Sequence, residues 1–533
     1  MSRLLALVAV VLAPLAASAQ DVNAYNRALS AFNAGDLDAA APLFFETSER
    51  ASDPETKGKA EYYLAQTFAK KGLPVAAFVT YAAIVKAGPK HPSYLKGVEG
   101  LVDIQQQLDE QNLIPSLLNQ AYTDEVRDQW VTLPREVLAR INFLVGTISH
   151  RRGRFEEARS LLEAVPPDSR VYAKSQYLLG IVLADPRFPG RPGEADALDK
   201  AALAAFQTVL KQKGEKAERQ LEFKETRELA MLGLGRLHYG RGEYKEASEA
   251  YEAVPRYSRY WDQALFENGF SRFQNEDFGG ALGSLQALHA PQFAGAFQPE
   301  SWILKATVYY YSCLFDEVKT TLAAYDDVYG PMAKQLQPFT GDDVDLIPTF
   351  NMVSASENRR LPRPVYLWIR NNERIREVMR VLANVDSEKR AIVGSSSWKG
   401  SALATQTVAS LEDVRNTLLQ VGGTLAKSRL REASDNLRTF SDQAEIIRVQ
   451  TALDQKDLLQ AGVDQKALLK RQSLYRPAMP GAAWNYWKFQ GEFWIDEIGY
   501  YQYTLKRGCP AKPGQEQRSQ QGRDEDREEL GSR

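Results

Sequence analysis

GLGRLHYGRGEYKEASEAYEAVP, residues 233–255, is followed by ENGFSRFQNEDFGGALGSLQALHAP, residues 267–291. Laid over one another, they put Gly235 on Gly269, Tyr244 on Phe278, Ala247 on Ala281 and Tyr251 on Leu285, each pair 34 positions apart. Gly242 stands two residues before Tyr244, where a tight turn is needed. An earlier stretch, LVGTISHRRGRFEEARSLLEAVPP (144–167), keeps the same order with Gly146, Gly153, Phe155, Ala158 and Leu162, and Gly180 again follows Gly146 by 34. Further copies read Gly35, Leu37, Ala40, Phe44; then Ala65, Gly72, Ala77, Tyr81; and finally Ala306, Phe315, Val318, Leu322. The copy at Gly180 is interrupted by DPRFPGRPGEAD (185–196), whose proline and glycine mark a loop, and resumes near Ala202 and Phe206. A fixed period of this length marks stacked supersecondary units, none of which can bury its apolar face alone.

These residues resemble the tetratricopeptide repeat pattern. In it a small residue lets two helices approach, a glycine–x–aromatic turn joins them, and a second small and a large residue complete the packing. The resemblance implies an all-α solenoid of helix hairpins over residues 20–329, followed by long amphipathic helices and an aromatic-rich docking segment.

The chain has 533 residues, 44% of them hydrophobic and 25% charged, as in globular proteins. Its formal net charge of −2 argues against a general nucleic-acid binder, which needs a basic surface to displace counterions. The start, MSRLLALVAVVLAPLAASAQ, reads as a secretory signal peptide over 1–19: Arg3 is basic, Leu4 to Leu12 is apolar, and Ala17-Ser18-Ala19 sets up cleavage between Ala19 and Gln20. The expected mature protein has no membrane span and resides in a bacterial periplasm.

Beyond the repeats, residues 330–363 break the helical rhythm and read as a connection. Residues 364–475 read as a long helical, coiled-coil-like region. Within it GSSSWKGS (394–401) looks like a turn or linker. Apolar residues at 411, 414, 418, 421 and 425 change register before resuming at 430, beside Gly422-Gly423. One or two long helices follow from this, paired as a hairpin or coiled coil or packed on the repeats. Residues 476–509 form an aromatic-rich cap segment, and 510–533, nearly devoid of apolar residues, are expected to be disordered.

Catalytic chemistry finds few candidates. His91, His150, His238 and His289 are scattered without metal-ligand spacing, and His150 and His238 fall beside repeat turns where a solvated imidazole is expected. No catalytic residue, metal site or cofactor is expected. The stretch WNYWKFQGEFWIDEIGYYQY (484–503) has nine aromatic residues in twenty. Its Trp484, Trp487, Glu492, Trp494, Asp496, Glu497, Tyr500 and Tyr501 admit three readings: a carboxylate pair with aromatic sugar platforms, a glycan-binding surface, or packing. Glu492 and Asp496 share a face if the segment is helical, yet carboxylates on one turn seldom flank a sugar. We read the segment as a cap docked on the last repeat. The two cysteines, Cys313 and Cys509, either pair or leave one buried and one free thiol.

The segment GEFWIDEIGYYQY, followed by a cysteine after a repeat domain, also resembles the C-terminal portion of deltaproteobacterial periplasmic tetratricopeptide proteins, including components of the adventurous gliding motility machinery. This implies a non-enzymatic part of an envelope-spanning complex whose partners are other periplasmic or envelope proteins. In repeat proteins of this type the first helices line a concave groove. Carried onto this chain, that pattern places Phe143, Tyr177, Leu232, Arg236, Tyr239, Phe266, Phe270, Phe273 and Tyr310 along it, an aromatic surface suited to a helix or extended peptide. The rival expectation is a cell-wall or polysaccharide-binding protein, or a glycan-processing enzyme, acting through the aromatic segment.

Overall fold

The computed structural model describes residues 20–212, 217–460, 462, 492–503 and 505, with side chains from 223 onward in the helix that starts at 217. The described residues are helical apart from turns and loops. Residues 1–19, Trp484, Trp487, Cys509 and the tail 510–533 lie outside them.

The helices are α1 (20–33), α2 (Leu37–Arg50), α3 (Pro54–Lys70), α4 (Pro74–Lys86), α5 (Tyr94–Leu108), α6 (Leu113–Ala121), α7 (Asp124–Trp130), α8 (Arg135–Arg151), α9 (Phe155–Glu163), α10 (Tyr172–Ala184) and α11 (Arg191–Lys211). Then follow α12 (Ala217–Gly240), α13 (Tyr244–Glu252), α14 (Trp261–Gln274), α15 (Phe278–Leu288), α16 (Pro299–Tyr311), α17 (Phe315–Leu336), α18 (Leu346–Ser354), α19 (Arg363–Arg370), α20 (Glu373–Gly394) and α21 (Ala402–Gln460). The chain divides into two compact units. The first takes the described residues up to Arg227, Asp345–Ser354 and Arg370–Ala426; the second takes Glu228–Val344, Ala355–Ile369 and the described residues from Lys427 onward.

Both units are stacks of helix hairpins, and the repeated residues explain why. A Cβ on Gly180 would stand 2.6 Å from the ring of Phe206, and one on Gly235 would collide with the ring of Tyr251. The missing side chain therefore sets how closely the two helices of a hairpin approach. Gly242 holds φ +73° in the turn between α12 and α13, a conformation that costs glycine nothing.

In the first unit, α20 runs back onto the N-terminal hairpins and supplies what their helix ends lack. The first backbone N–H groups of a helix have no partner within it. Val75 and Ala76, at the start of α4, donate to the two carboxylate oxygens of Glu388 at 2.7 and 2.9 Å. At the start of α6, Glu110 accepts from Asn112, Leu113 and Ile114, while Glu377 accepts from the backbone of Gln111 and the side chain of Asn112. Both α20 glutamates are buried. The stretch 394–401 is an anchor rather than a bare linker: Trp398 is fully buried, meets Phe68 edge-on at 6.1 Å and donates its indole N–H to the carbonyl of Asp38 at 3.0 Å.

The expected connection at 330–363 also contains structure, the end of α17 and the whole of α18. Residues 402–460 form one uninterrupted helix. Gly422-Gly423, beside the change in register, is a packing site: added Cβ atoms would stand 2.6 Å from Phe350 and 2.5 Å from Leu346. After it Leu430, Leu437, Ala444, Thr451 and Leu458 are buried at seven-residue spacing, a heptad seam within the second unit, with Ala433 buried beside it. There Tyr325 donates its hydroxyl to the Leu437 carbonyl at 3.3 Å, and Leu458 packs on Cys313 and Phe315. The seam thus packs on α17, and α21 covers the last hairpin.

Candidate functional site

The second unit gathers most of the groove residues expected from the sequence. Arg236 and Tyr239 lie on α12; Phe266, Phe270 and Phe273 on α14; Tyr310 on α16. Phe266 and Phe270 meet edge-on at 5.5 Å, Phe273 meets Tyr311 edge-on at 5.6 Å, and Tyr239 meets Tyr244 at 5.4 Å. These rings are half-buried, and Tyr311 is 54% exposed. Arg236 forms a two-pronged ion pair with Glu267 at 3.0 and 2.7 Å. The surface therefore combines aromatic edges with one fixed guanidinium–carboxylate pair.

Leu232 is a correction. It is fully buried with Ala247, Tyr251, Val254 and Ala264, because it sits on the flank of α12 that faces α13 and α14. Phe266 is partly committed too, packing on the core cluster around Trp261 and Leu265. The Tyr310 hydroxyl is tied to Asp454 of α21, and burial raises its pKa. In the first unit Phe143 and Tyr177 are half-buried on α8 and α10, with Tyr177 tilted against Phe206 at 6.1 Å. Sequence reasoning missed Glu267 and Tyr311. Glu267 follows Arg236 by 31 positions, one helical residue triplet short of the repeat period, which is the spacing that brings successive first helices into contact.

The C-terminal aromatic segment docks chiefly on the turn between α13 and α14, on α14 and on α15, and reaches the last hairpin where Tyr503 meets Tyr309 of α16. Residues 492–503 are not helical, so Glu492 and Asp496 do not share a helix face; Asp496 and Glu497 are exposed. The segment is a strap. Ile498 is fully buried among Trp261, Leu265, Ala287, Leu288 and Ala290, with Phe493 and Tyr501 around it. Arg256 donates to the carbonyls of Ile495 and Asp496 at 3.3 and 3.1 Å, and Tyr257 donates its hydroxyl to Ile495 at 2.8 Å. Farther on, Tyr503 donates its backbone N–H to Gly279 at 3.1 Å. Gly279 and Gly283, one turn apart on α15, form a side-chain-free lane: a Cβ on either would overlap the carbonyl oxygen of Tyr503 or Tyr501. The glycines of FGGALG explain the position, since α15 alone offers the strap's backbone such close approach among the helices it touches. Trp494 and Tyr500 point outward, 57% and 71% exposed.

Where the strap ends, Tyr503 and Lys305 both approach the side-chain oxygen of Gln286, at 3.4 and 3.2 Å. Burial pushes Tyr503 up to about 12 and Lys305 down to about 8. Cys313, buried in the turn before α17, is disulfide-bonded; Cys509 lies outside the described residues. The histidines have local partners: His91 with Glu61 at 2.7 Å, His238 with Glu243 at 2.7 Å, His289 with Ser301 at 2.9 Å and His150 near Asp185 at 3.5 Å. His150 and His238 are mostly buried, not solvated, because the turn that follows each helix folds a carboxylate or ring over the imidazole. No helix among the described residues is long and apolar enough to cross a membrane.

The family model that matches is that of the tetratricopeptide repeat, over residues 25–92, the hairpins α1–α2 and α3–α4. With the 34-residue period and the glycine-against-ring packing, the match leaves the chain an all-α protein built of helix hairpins, those at 25–92 similar to the tetratricopeptide repeat. No curated protein matches the chain. Among solved structures, the apo form of the quorum sensor NprR from B. thuringiensis is similar at 12% identity, covering 74% of this chain and 99% of that one with a TM-score of 0.32. Yeast Tom70 is similar at 12% identity, covering 86% and 99% with a TM-score of 0.21.

Proposed function

We propose that this chain is a non-enzymatic scaffold of a bacterial periplasm, binding other envelope proteins through the aromatic surface of its second unit. The observation that carries the reading is the set of partly exposed rings on α12, α14 and α16 around the Arg236–Glu267 pair. A surface of this kind takes the apolar side of a helix or extended peptide, with the ion pair fixing polar contacts. The signal-like residues 1–19 support export. The resemblance of the C-terminal segment supports an envelope-spanning machine of the gliding-motility kind.

The test is crosslinking in intact cells, then affinity capture and mass spectrometry with wild type, Phe270→Ala and Tyr239→Glu chains. Recovery of a few envelope proteins at fixed stoichiometry, lost in both variants, is expected. Equal recovery from folded variants removes the aromatic surface from the reading.

A second reading rests on the outward rings of Trp494 and Tyr500, which offer flat faces to a sugar. It requires retention on peptidoglycan or polysaccharide that Trp494→Ala abolishes. A wild-type chain that flows through dismisses it.

A further inference from the structure

We propose that the cavity between the strap and α14 is a binding site for a small zwitterion, a free amino acid or a dipeptide, held by its carboxylate and its N–H groups. The cavity, about 360 Å³, lies within the second unit, walled by the end of α13, one stripe of α14, Ser284 of α15 and residues 499–502 of the strap. Sites for small molecules begin at roughly 300 Å³, so the space suits a ligand of this size.

The repeat shows that this place is unusual. The residue before the small residue of the first helix is apolar and buried in other hairpins, as Leu64, Val145, Leu179 and Leu234. In α14 the same place, before Gly269, is held by Asn268, which is just as buried. Trp261, Leu265, Asn268 and Arg272 recur at helical spacing along the cavity wall. Asn268 stands about half a turn from both Phe266 and Phe270, so this wall is separate from the aromatic surface.

The polar groups on it are matched only in part. Asn268 donates from Nδ2 to Glu252 at 3.4 Å, which orients the amide and leaves Oδ1 buried without a protein donor. Arg272 donates from its two terminal nitrogens to Glu252 and Asp277 at 2.6 and 2.8 Å, while its buried Nε–H finds no protein acceptor. The Nε–H of Arg256 is buried and unmatched as well. Its Nη2 donates to the carbonyls of Ile495 and Asp496, and no carboxylate among the described residues pairs with it. Arg272 thus has two carboxylates beside it and Arg256 none, so the cavity offers both signs of charge. A buried donor or acceptor left unmade is costly. The ligand that completes this set carries a carboxylate for the guanidinium edges, an N–H group for Asn268 Oδ1 and Glu252, and a small apolar part for Trp261 and Leu265.

The experiment titrates the dialysed full-length protein by calorimetry with the protein amino acids, a panel of dipeptides, and the N-acetyl amides of the same amino acids, which have similar shape but neither charge. Saturable binding of one or more zwitterions and none of the neutral amides is expected; the amino acids and dipeptides, compared, name the source. Asn268→Leu, which restores the apolar residue of the other hairpins, should weaken that binding by roughly tenfold or more while raising the melting temperature. Heat from no zwitterion, as from a cavity that takes water only, overturns the proposal. So does equal binding of the neutral amides, or undiminished binding by a folded Asn268→Leu chain. Should that variant fail to fold, hydrogen exchange on the wild type decides: a saturating zwitterion is expected to slow exchange at the backbone amides of residues 499–502, and unchanged exchange there overturns the site.

Discussion

The carboxylate of Glu388 accepts the backbone N–H of Val75 at 2.7 Å, although the two residues stand 313 positions apart. This contact closes the first unit, and it titrates. Burial pushes Glu388 up to about 7 from an ordinary 4.5. Glu377 is raised as well, by burial and by the neighbouring Glu110. A carboxyl that is harder to ionise folded than unfolded binds more protons in the native state between its two pKa values, so stability falls as pH rises across that interval. The first unit should therefore melt at progressively lower temperature between about pH 5 and pH 8, with Glu388 contributing on the order of 3 kcal/mol. Glu388→Gln should flatten the slope. Hydrogen exchange at the Val75 and Ala76 amides follows it directly; equal protection at both pH values in wild type would contradict the account.

Trp398 tests the same closure by packing. It is fully buried and its indole N–H is paired with the Asp38 carbonyl. Trp398→Ala should cost about 3–5 kcal/mol by chemical denaturation, the range for emptying a large aromatic site. Trp494→Ala, at a side chain 57% exposed, should cost less than about 0.5 kcal/mol. Similar losses for the two would mean that residues 394–401 do not anchor the unit.

The contrast between these two tryptophans shows what the sequence could and could not tell. Gly235 against Tyr251 and Gly269 against Leu285 were legible because both partners fall within one repeat and recur at a fixed offset. Trp398 reads as part of a serine-rich turn, since its partners Phe68 and Asp38 lie 330 and 360 residues upstream and leave no local period. Gly422-Gly423 leaves one helix or two open in the sequence for the opposite reason: the glycines sit beside a change of register, while Phe350 and Leu346 packed against them show a close-packed site within one helix. In the candidate site, the rings on α14 followed from repeat position, but the burial of Leu232 depends on which flank of α12 faces inward. The strap's place on α15 depends on glycines whose role appears only once its backbone lies over them.

Gly283→Ala gives a prediction whose sign discriminates. In an exposed helix the change stabilises by about 1 kcal/mol. Here the new methyl would overlap the carbonyl oxygen of Tyr501, so the strap must lift and Ile498 must leave its pocket, a loss of roughly 2–3 kcal/mol of burial. Limited proteolysis should cut within residues 492–503 faster than in wild type while the helices persist. A variant that melts higher and is cut no faster would mean that the strap does not lie in the lane.

The Arg236–Glu267 pair separates recognition from stability. Arg236 is half-exposed while Glu267 is mostly buried, with side chains 45% and 17% exposed, so breaking the pair should change stability by about 1 kcal/mol. Its value is in fixing charge among the rings of Phe266, Phe270 and Phe273. Arg236→Glu puts two carboxylates side by side and should weaken partner capture by tenfold or more, on the order of 1.4 kcal/mol, with the melting curve nearly unmoved. Adding Glu267→Arg restores an opposite-charge pair with its polarity reversed. If the pair acts only by holding α12 against α14, the double variant recovers capture; if a partner's own charge reads it, capture stays low while the fold is restored. Affinity measured for the wild type, the single and the double variant against one identified partner distinguishes the two, and undiminished affinity in the single variant would remove the pair from the binding surface.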